Sequence, residues 1–291
     1  MSATDRLSVR IPSAVEEAVV TEAAEIHQAP PATALPERRR REGWLAWLIP
    51  VALLLLWEAA ARAGWISQLL FPAPSEVLTT MGRLTASGEL PRHVAISLQR
   101  VAAGLCVGAI PGITLGLAMG WSRRLRLLLD PLMGAIYPLP RIALFPLIMV
   151  LVGIGEASKV VTIGIGVFFP TLINSMTGVH GIPETYFEVA RSYGARPWQV
   201  FRRVVLPGSL PTVFAGLRLA VGMALLLVIA IEFISARTGL GAFLWLAWET
   251  FRTTNVYVAL LVSAFLGATL AWLVRRAEHR LLPWAEGLLH R

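Results

Sequence analysis

Lysine occurs once in these 291 residues, at Lys159, and cysteine once, at Cys106. A phosphate-binding P-loop needs Gly-Lys-Ser/Thr. Lys159 is followed by Val160, so the chain carries no Walker-type ATP site of its own. A lone cysteine inside an apolar run excludes an internal disulfide and a thiolate metal site. Aspartate is limited to Asp5 and Asp130. The five histidines, His27, His93, His180, His279 and His290, offer no pair at the four-residue spacing of a helical metal site. Ser209 after Gly208 has no His or Asp near it in the chain. No catalytic residue and no metal ligand can therefore be named. Charge is scarce as well: 15% of residues are charged, against about 25% in an ordinary soluble domain.

What is abundant is hydrocarbon. The chain is 56% hydrophobic with a mean hydropathy of +0.65, the balance of an all-α, polytopic membrane protein. A net charge of +8 could suggest nucleic acid. The arginines fall in the gaps between apolar runs, however, which is topology information rather than a basic groove. No nucleic-acid partner is expected.

About six stretches are long enough to span, each needing about 20 mostly apolar residues: Trp44–Ala61, Val94–Trp121, Leu127–Gly153, Val160–Gly178, Leu210–Ser235 and Val256–Val274. Arginine clusters sit at Arg38–Arg41, at Arg123, Arg124 and Arg126, at Arg191, Arg196, Arg202 and Arg203, and at Arg275, Arg276 and Arg280. The alternate loops hold fewer, at Arg62, Arg83, Arg92, Lys159, Arg237 and Arg252. The positive-inside rule then places both termini in the cytoplasm, consistent with an even number of spans. Trp44, Trp65, Trp121 and Trp272 suit an interfacial belt against membrane lipid. Residues 1–43 read as a mostly disordered cytoplasmic tail, with a short capped helix starting at Ser13 to Glu16 as one option. They carry no apolar stretch of the signal-peptide kind, so the first span is expected to stay as an anchor. Residues 44–291 form the membrane domain.

In the second span Gly104, Gly108, Gly112, Gly116 and Gly120 recur at every fourth residue, a stripe that drifts by about 40° per step. Such glycines let another backbone approach closely. Packing within the protomer and a subunit interface both fit; either way this helix is interior.

Between the fourth and fifth spans lies EVARSYGARPWQVFRRVVLP, Glu188 to Pro207. A helix from Pro183 would carry Glu184 and Glu188 near its positive end. Gly194 supplies the left-handed residue that ends it, and Pro197 suits the first turn of a second helix. Val200, Phe201, Val204 and Val205 give that second helix an apolar side, and Arg202 and Arg203 face water or lipid phosphate. Pro207 and Pro211 are expected to punctuate the return into the membrane. An amphipathic hairpin lying on anionic lipid would explain the arginines; a docking knob for a soluble partner would explain the Glu/Gly/Pro framework too.

That framework resembles the EAA loop of ABC-importer permeases, Glu-Ala-Ala, three residues, Gly, nine residues, Ile, one residue, Leu-Pro. Here it reads Glu188-Val189-Ala190, Gly194, Val204, Leu206-Pro207, with Val189 for Ala and Val204 for Ile. FPAPSEVL (Phe71–Leu78), SLQRVAAG (Ser97–Gly104), DPLMGAIYPLPRIALFPL (Asp130–Leu147), GIGEASK (Gly153–Lys159), LPGSLPTVFAGLRLA (Leu206–Ala220) and EFISARTGLG (Glu232–Gly241) are similar to the permeases for nitrate, taurine, aliphatic sulfonates and bicarbonate. The similarity covers Trp44 to Pro283. It implies a type I importer permease fold in the cytoplasmic membrane, a homodimer, two ATPase subunits below it and an extracytoplasmic substrate-binding protein above it. This chain would bind no cofactor; ATP and Mg would sit on the partner ATPase. The coupling loop would be 183–207, with Glu188, Ala190, Gly194, Val204, Leu206 and Pro207 as its signature. The substrate would be a small anion.

Ionisable groups within spans are costly and point to function. Glu58, Arg100, Arg141 and Glu232 qualify. Arg141 and Arg100 could meet an anion, Arg141 on a helix broken after Pro138 and Pro140. A structural ion pair of Glu232 with Arg141 or Lys159 is the competing expectation, and Glu58 could snorkel. Asn174 and Ser175 could line the path or pack between helices. An ion-coupled secondary carrier is the alternative function; it would want a midplane carboxylate relay and internal repeats, and it would not need the knob.

Overall fold

The computed structural model describes residues 45–285, with side chains from 48 to 284. The expected tail at 1–43, its Ser13–Glu16 cap and Trp44 lie outside the described residues. The chain divides into two compact units, Met1–Leu56 and Trp57–Arg291. The described part of the first is the opening three turns of α1 (Leu45–Arg62), a helix that runs on into the second.

Every regular element among the described residues is helical. After α1 come α2 (Pro74–Ala86), α3 (Glu89–Trp121), α4 (Arg123–Ile136), α5 (Phe145–Val152), α6 (Glu156–His180), α7 (Glu184–Ser192), α8 (Pro197–Ser235), α9 (Leu240–Glu249) and α10 (Thr253–Leu281). Among the described residues, α3, α6, α8 and α10 are long and apolar enough to cross a membrane. A fifth span is broken: the chain bends by 89° between α4 and the segment Arg141–Val152.

The break in the stretch Leu127–Gly153 falls after Pro138 and Pro140, as expected; the size of its bend was not foreseen. Pro138 and Pro140 remove two amide donors within three residues and push Leu139 out of helical conformation. Pro140 is extended, at φ −68° and ψ 107°. The chain resumes as a 3₁₀ turn at Arg141–Leu144 before α5. Two helices in the loops, α2 and α9, were also not foreseen. Pro74 opens α2 at its first turn, and Glu58 accepts hydrogen bonds from the Ser75 N–H at 3.0 Å and the Ser75 hydroxyl at 2.7 Å. Glu58 thus caps α2 and pairs with Arg62.

The glycine stripe of α3 lies against α6. Gly104 faces Ile163, Gly108 the Gly164 backbone, Gly112 Phe168 and Thr171, Gly116 Leu172 and Ser175, and Gly120 Val179. A Cβ at Gly108 would collide with the Gly164 carbonyl. Both sets of numbers rise together, so α3 and α6 run parallel, and the broken α4–α5 segment between them makes the return crossing. Gly178 meets Ser209 while Gly166 meets Leu227, so α6 and α8 are antiparallel. Gly267 meets Leu225 while Glu278 pairs with Arg218, so α10 runs antiparallel to α8. Val101, Ile163, Val167, Ala224, Val228, Ile231 and Val258 fill the centre. Close packing rather than hydrophobicity holds such a bundle, because lipid is as apolar as leucine.

These directions gather the ends of α3, α6 and α10 and the start of α8 at one pole. Arg126 bonds His180 there and Arg218 pairs with Glu278. The arginine clusters at 123–126, 191–203 and 275–280 share that pole. The opposite pole holds α2, α9 and the start of α6.

Candidate functional site

At the arginine-rich pole, α7 starts after Pro183 and ends at Tyr193. Gly194 follows with φ +65°. Its N–H donates to the Arg191 carbonyl at 2.9 Å, and the Ala195 N–H donates to the Ala190 carbonyl at 3.0 Å. This pair of bonds is a Schellman cap, with Ala190 supplying the outer acceptor. No atom lies within 4 Å of the place a Gly194 Cβ would take. The glycine is needed for its backbone angle, not for room.

Pro197 then opens α8, and Gln199 Oε1 accepts the Arg196 N–H at 2.8 Å. Pro207 and Pro211, expected to punctuate the return into the membrane, do not interrupt the helix. Helix α8 runs through both prolines for 39 residues. A π-turn at Phe201–Val205 precedes Pro207, and the Leu206 N–H reaches the Phe201 carbonyl. The wider turn relieves the clash of a proline ring with the preceding turn. The knob is therefore continuous with a spanning helix.

Phe187 of α7 and Phe201, Val205 and Leu206 of α8 pack with Leu117 of α3, Val179 of α6 and Val213. The Phe201 ring lies 6.1 Å from Trp121 and stacks on Trp198 at 5.7 Å. On the outer side, Glu188, Arg191, Tyr193 and Trp198 are exposed, and Arg191 pairs with Glu184. Tyr186, Ala190, Gly194, Gln199, Arg203 and Val204 line a cleft of about 610 Å³. The knob thus has an anchored apolar root and an open, partly aromatic crown.

At the opposite pole Glu232 is fully buried in α8. Its carboxylate accepts from Arg100 Nη1 at 2.7 Å and from the Gly241 N–H at 2.9 Å, and the Ser97 hydroxyl lies 2.8 and 2.9 Å from its two oxygens. The Leu240 N–H donates to Ser97 Oγ at 2.8 Å. Arg100 also donates through Nε and Nη2 to Glu156, both at 2.7 Å, and through Nη1 to the Thr238 carbonyl at 2.6 Å. Lys159 Nζ donates to Glu156 at 2.8 Å. The partner of Glu232 is thus Arg100, which corrects the expected pairing with Arg141 or Lys159. A Cβ on Gly239, where φ is +116°, would overlap the Glu232 carboxylate, so the chain closes round this side chain only with glycine.

Arg141 has different surroundings. Its guanidinium lies 5.4 Å above the Tyr137 ring, and its side chain runs beside Gly166 of α6. Buried Nε has no hydrogen-bond partner, and no carboxylate pairs with Arg141 among the described residues. Asn174 Nδ2 donates to the Pro170 carbonyl at 2.8 Å, and Gly216 of α8 fits against its side chain. Asn174 therefore serves helix contact, and Ser175 is buried without a hydrogen-bond partner.

Sequence reasoning had not singled out Ser97, Glu156, Gly239 or Gly241. The signal was present: SLQRVAAG, GIGEASK and EFISARTGLG each bring one or two of them, and the fold joins these three distant stretches at one pole.

The family described as "Binding-protein-dependent transport system inner membrane component" matches residues 112–283. The chain is 33% identical over 247 residues to the "Putative aliphatic sulfonates transport permease protein SsuC" of Bacillus subtilis, covering 84% of this chain and 90% of the relative. It is 35% identical over 239 residues to the "Taurine transport system permease protein TauC" of Escherichia coli, covering 80% and 86%. Among solved structures, an inward-facing form of the MetNI methionine ABC transporter superposes with a TM-score of 0.56 at 21% identity, over 67% of this chain and 94% of that one. That likeness shows the fold.

Proposed function

This chain belongs to the inner-membrane components of binding-protein-dependent transport systems, and from that premise we propose that it lines the import path for a small sulfonate-class anion. It is a permease of the cytoplasmic membrane rather than an enzyme. Two copies would form the path, with a separate ATPase holding ATP and Mg beneath each. An extracytoplasmic binding protein would deliver the substrate. The relatives' names carry the substrate class, aliphatic sulfonates and taurine; nitrate or bicarbonate would be of the same anionic type.

The knob geometry supports the coupling role. Glu188 and Ala190 lie on a short helix, closed by Gly194, whose root touches α3, α6 and α8 together. A rigid element seated in an ATPase would move three spanning helices at once, the type of lever that switches a cavity between faces. Val204, Leu206 and Pro207 join the knob to α8 without a hinge. Glu188, exposed on the crown, offers a charged contact. The carrier alternative needs a carboxylate free to take up a proton, and Glu232 is bonded through both oxygens.

The test is co-purification of the tagged chain with its candidate ATPase, comparing wild type with Gly194→Trp. Loss of the ATPase from a still-folded variant supports the knob as the seat. Retention by both forms, or by neither, removes that role and reopens the carrier reading.

A further inference from the structure

Arg141 sits in the one place in the described membrane domain where a cation, a chain break and an unpaired polar atom coincide. The 3₁₀ turn at Arg141–Leu144 follows two prolines and precedes α5. The Arg141 side chain runs beside Gly166, ten residues into the 25-residue α6. At 1.5 Å per residue that is about 15 Å along the helix, near the middle of a hydrocarbon layer of about 30 Å. The place a Gly166 side chain would take is filled by Leu227 of α8, with the Arg141 side chain beside it.

A guanidinium at that depth has few options. Facing lipid is costly, and ionisable side chains inside membranes face a partner or water. Arg100 has taken two carboxylates. Arg141 has none, and its Nε is buried without an acceptor. Irregular backbone at membrane depth is tolerated where it lines a water-filled cavity. Tyr137 supports the cation from one face through its ring, which leaves the planar fork to bond an oxyanion.

We propose that Arg141 is the anion-binding residue of the transport path, exposed to water at mid-membrane and taking the oxygens of a small oxyanion of the sulfonate type. This rests on the permease reading and adds the residue that meets the substrate. Arg100 is excluded from that role because both its carboxylate partners occupy it.

The experiment needs no knowledge of the physiological substrate. Cys106, the lone cysteine, is exposed and is replaced by Cys106→Ser. Tyr137→Cys then places a thiol beside the guanidinium in the transporter assembled with its ATPase and binding protein. Its rate of modification is measured in proteoliposomes with 2-sulfonatoethyl methanethiosulfonate and with the trimethylammonium counterpart, at rest and during ATP turnover. Each rate is normalised to that of a free thiol.

A unit charge within about 6 Å in a partly wet site changes the local concentration of an anion by about tenfold. The expected anionic-to-cationic rate ratio is therefore about ten or more. Arg141→Gln should bring it close to one, and Arg141→Lys should retain most of it, with co-purification of the ATPase serving as the check that each variant is folded and assembled. No reaction with either reagent in either state would overturn the proposal, because Arg141 would not face water. A ratio unmoved by Arg141→Gln would overturn it too. Failure of the ATPase to associate at all would instead sink the permease reading, which separates the two outcomes.

Discussion

Arg100 and Arg141 both lie within spanning segments, and their surroundings could hardly differ more. Arg100 is buried and is held by Glu156, Glu232 and the Thr238 carbonyl. Arg141 is partly buried, rests on one aromatic ring and has an unpaired Nε. The first joins α3, α6 and α8 at one pole; the second interrupts a span halfway. A cation already neutralised by acceptors on three elements is structural, whereas one left unpaired at depth is available to something that arrives.

The sharpest way to break that contrast is Glu232→Ala. It takes from Arg100 its fully buried carboxylate, leaving Glu156 and the Thr238 carbonyl, and leaves the Ser97 hydroxyl and the Gly241 N–H without their acceptor. Removing one partner of a buried pair costs about 3–5 kcal/mol, so thermal unfolding of the purified chain in detergent should fall sharply. A variant that melts as wild type does would show that the cluster holds nothing together.

Gly241→Ala probes the same cluster from its backbone. The new Cβ would overlap the Ile229 carbonyl and crowd Glu232, and overpacking of this kind costs about 1–3 kcal/mol. The same measurement should show a clear but smaller loss. Gly194→Ala carries no steric term, since nothing is near. Only the left-handed backbone penalises it, by about 1 kcal/mol. If Gly194→Ala proved as damaging to stability as Gly241→Ala, the knob would be packed more tightly than its geometry implies.

Arg141→Gln should have the smallest effect on stability, about 0.5–1 kcal/mol from its contact with the Tyr137 ring, because no ion pair is lost. Uptake of taurine or another alkanesulfonate should nonetheless fall in reconstituted transporter. Equal stability losses from Arg141→Gln and Arg100→Gln would erase the distinction between the two sites.

How much of this could be read in the chain depended on the range of the interaction. The knob was legible because Pro183, Gly194 and Pro197 act within a few residues of themselves, through proline's fixed φ and glycine's tolerance of positive φ. The break before Arg141 was legible for the same reason, though its 89° bend was not. The continuity of α8 through Pro207 was missed, since a π-turn upstream relieves a proline that would otherwise stop a helix. The pairing of Glu232 was also missed. Arg100 lies 132 residues away, and nothing in the local sequence around either residue names the other. Local pattern gives depth in the membrane but not the azimuth of a helix, and azimuth chose the partner.

By itself, the sequence determined that the chain is a bundle of spanning helices, with its arginine clusters in alternate loops and a Gly-hinged knob between two of them. Apolar length, charge placement and backbone chemistry act locally and need no partner to be read. Tertiary structure decided which helix the Gly104–Gly120 stripe meets, which carboxylates neutralise Arg100, and that Arg141 is left without one. Those outcomes depend on how neighbouring helices rotate and cross, and close packing of backbone against backbone sets that only when the whole bundle has formed.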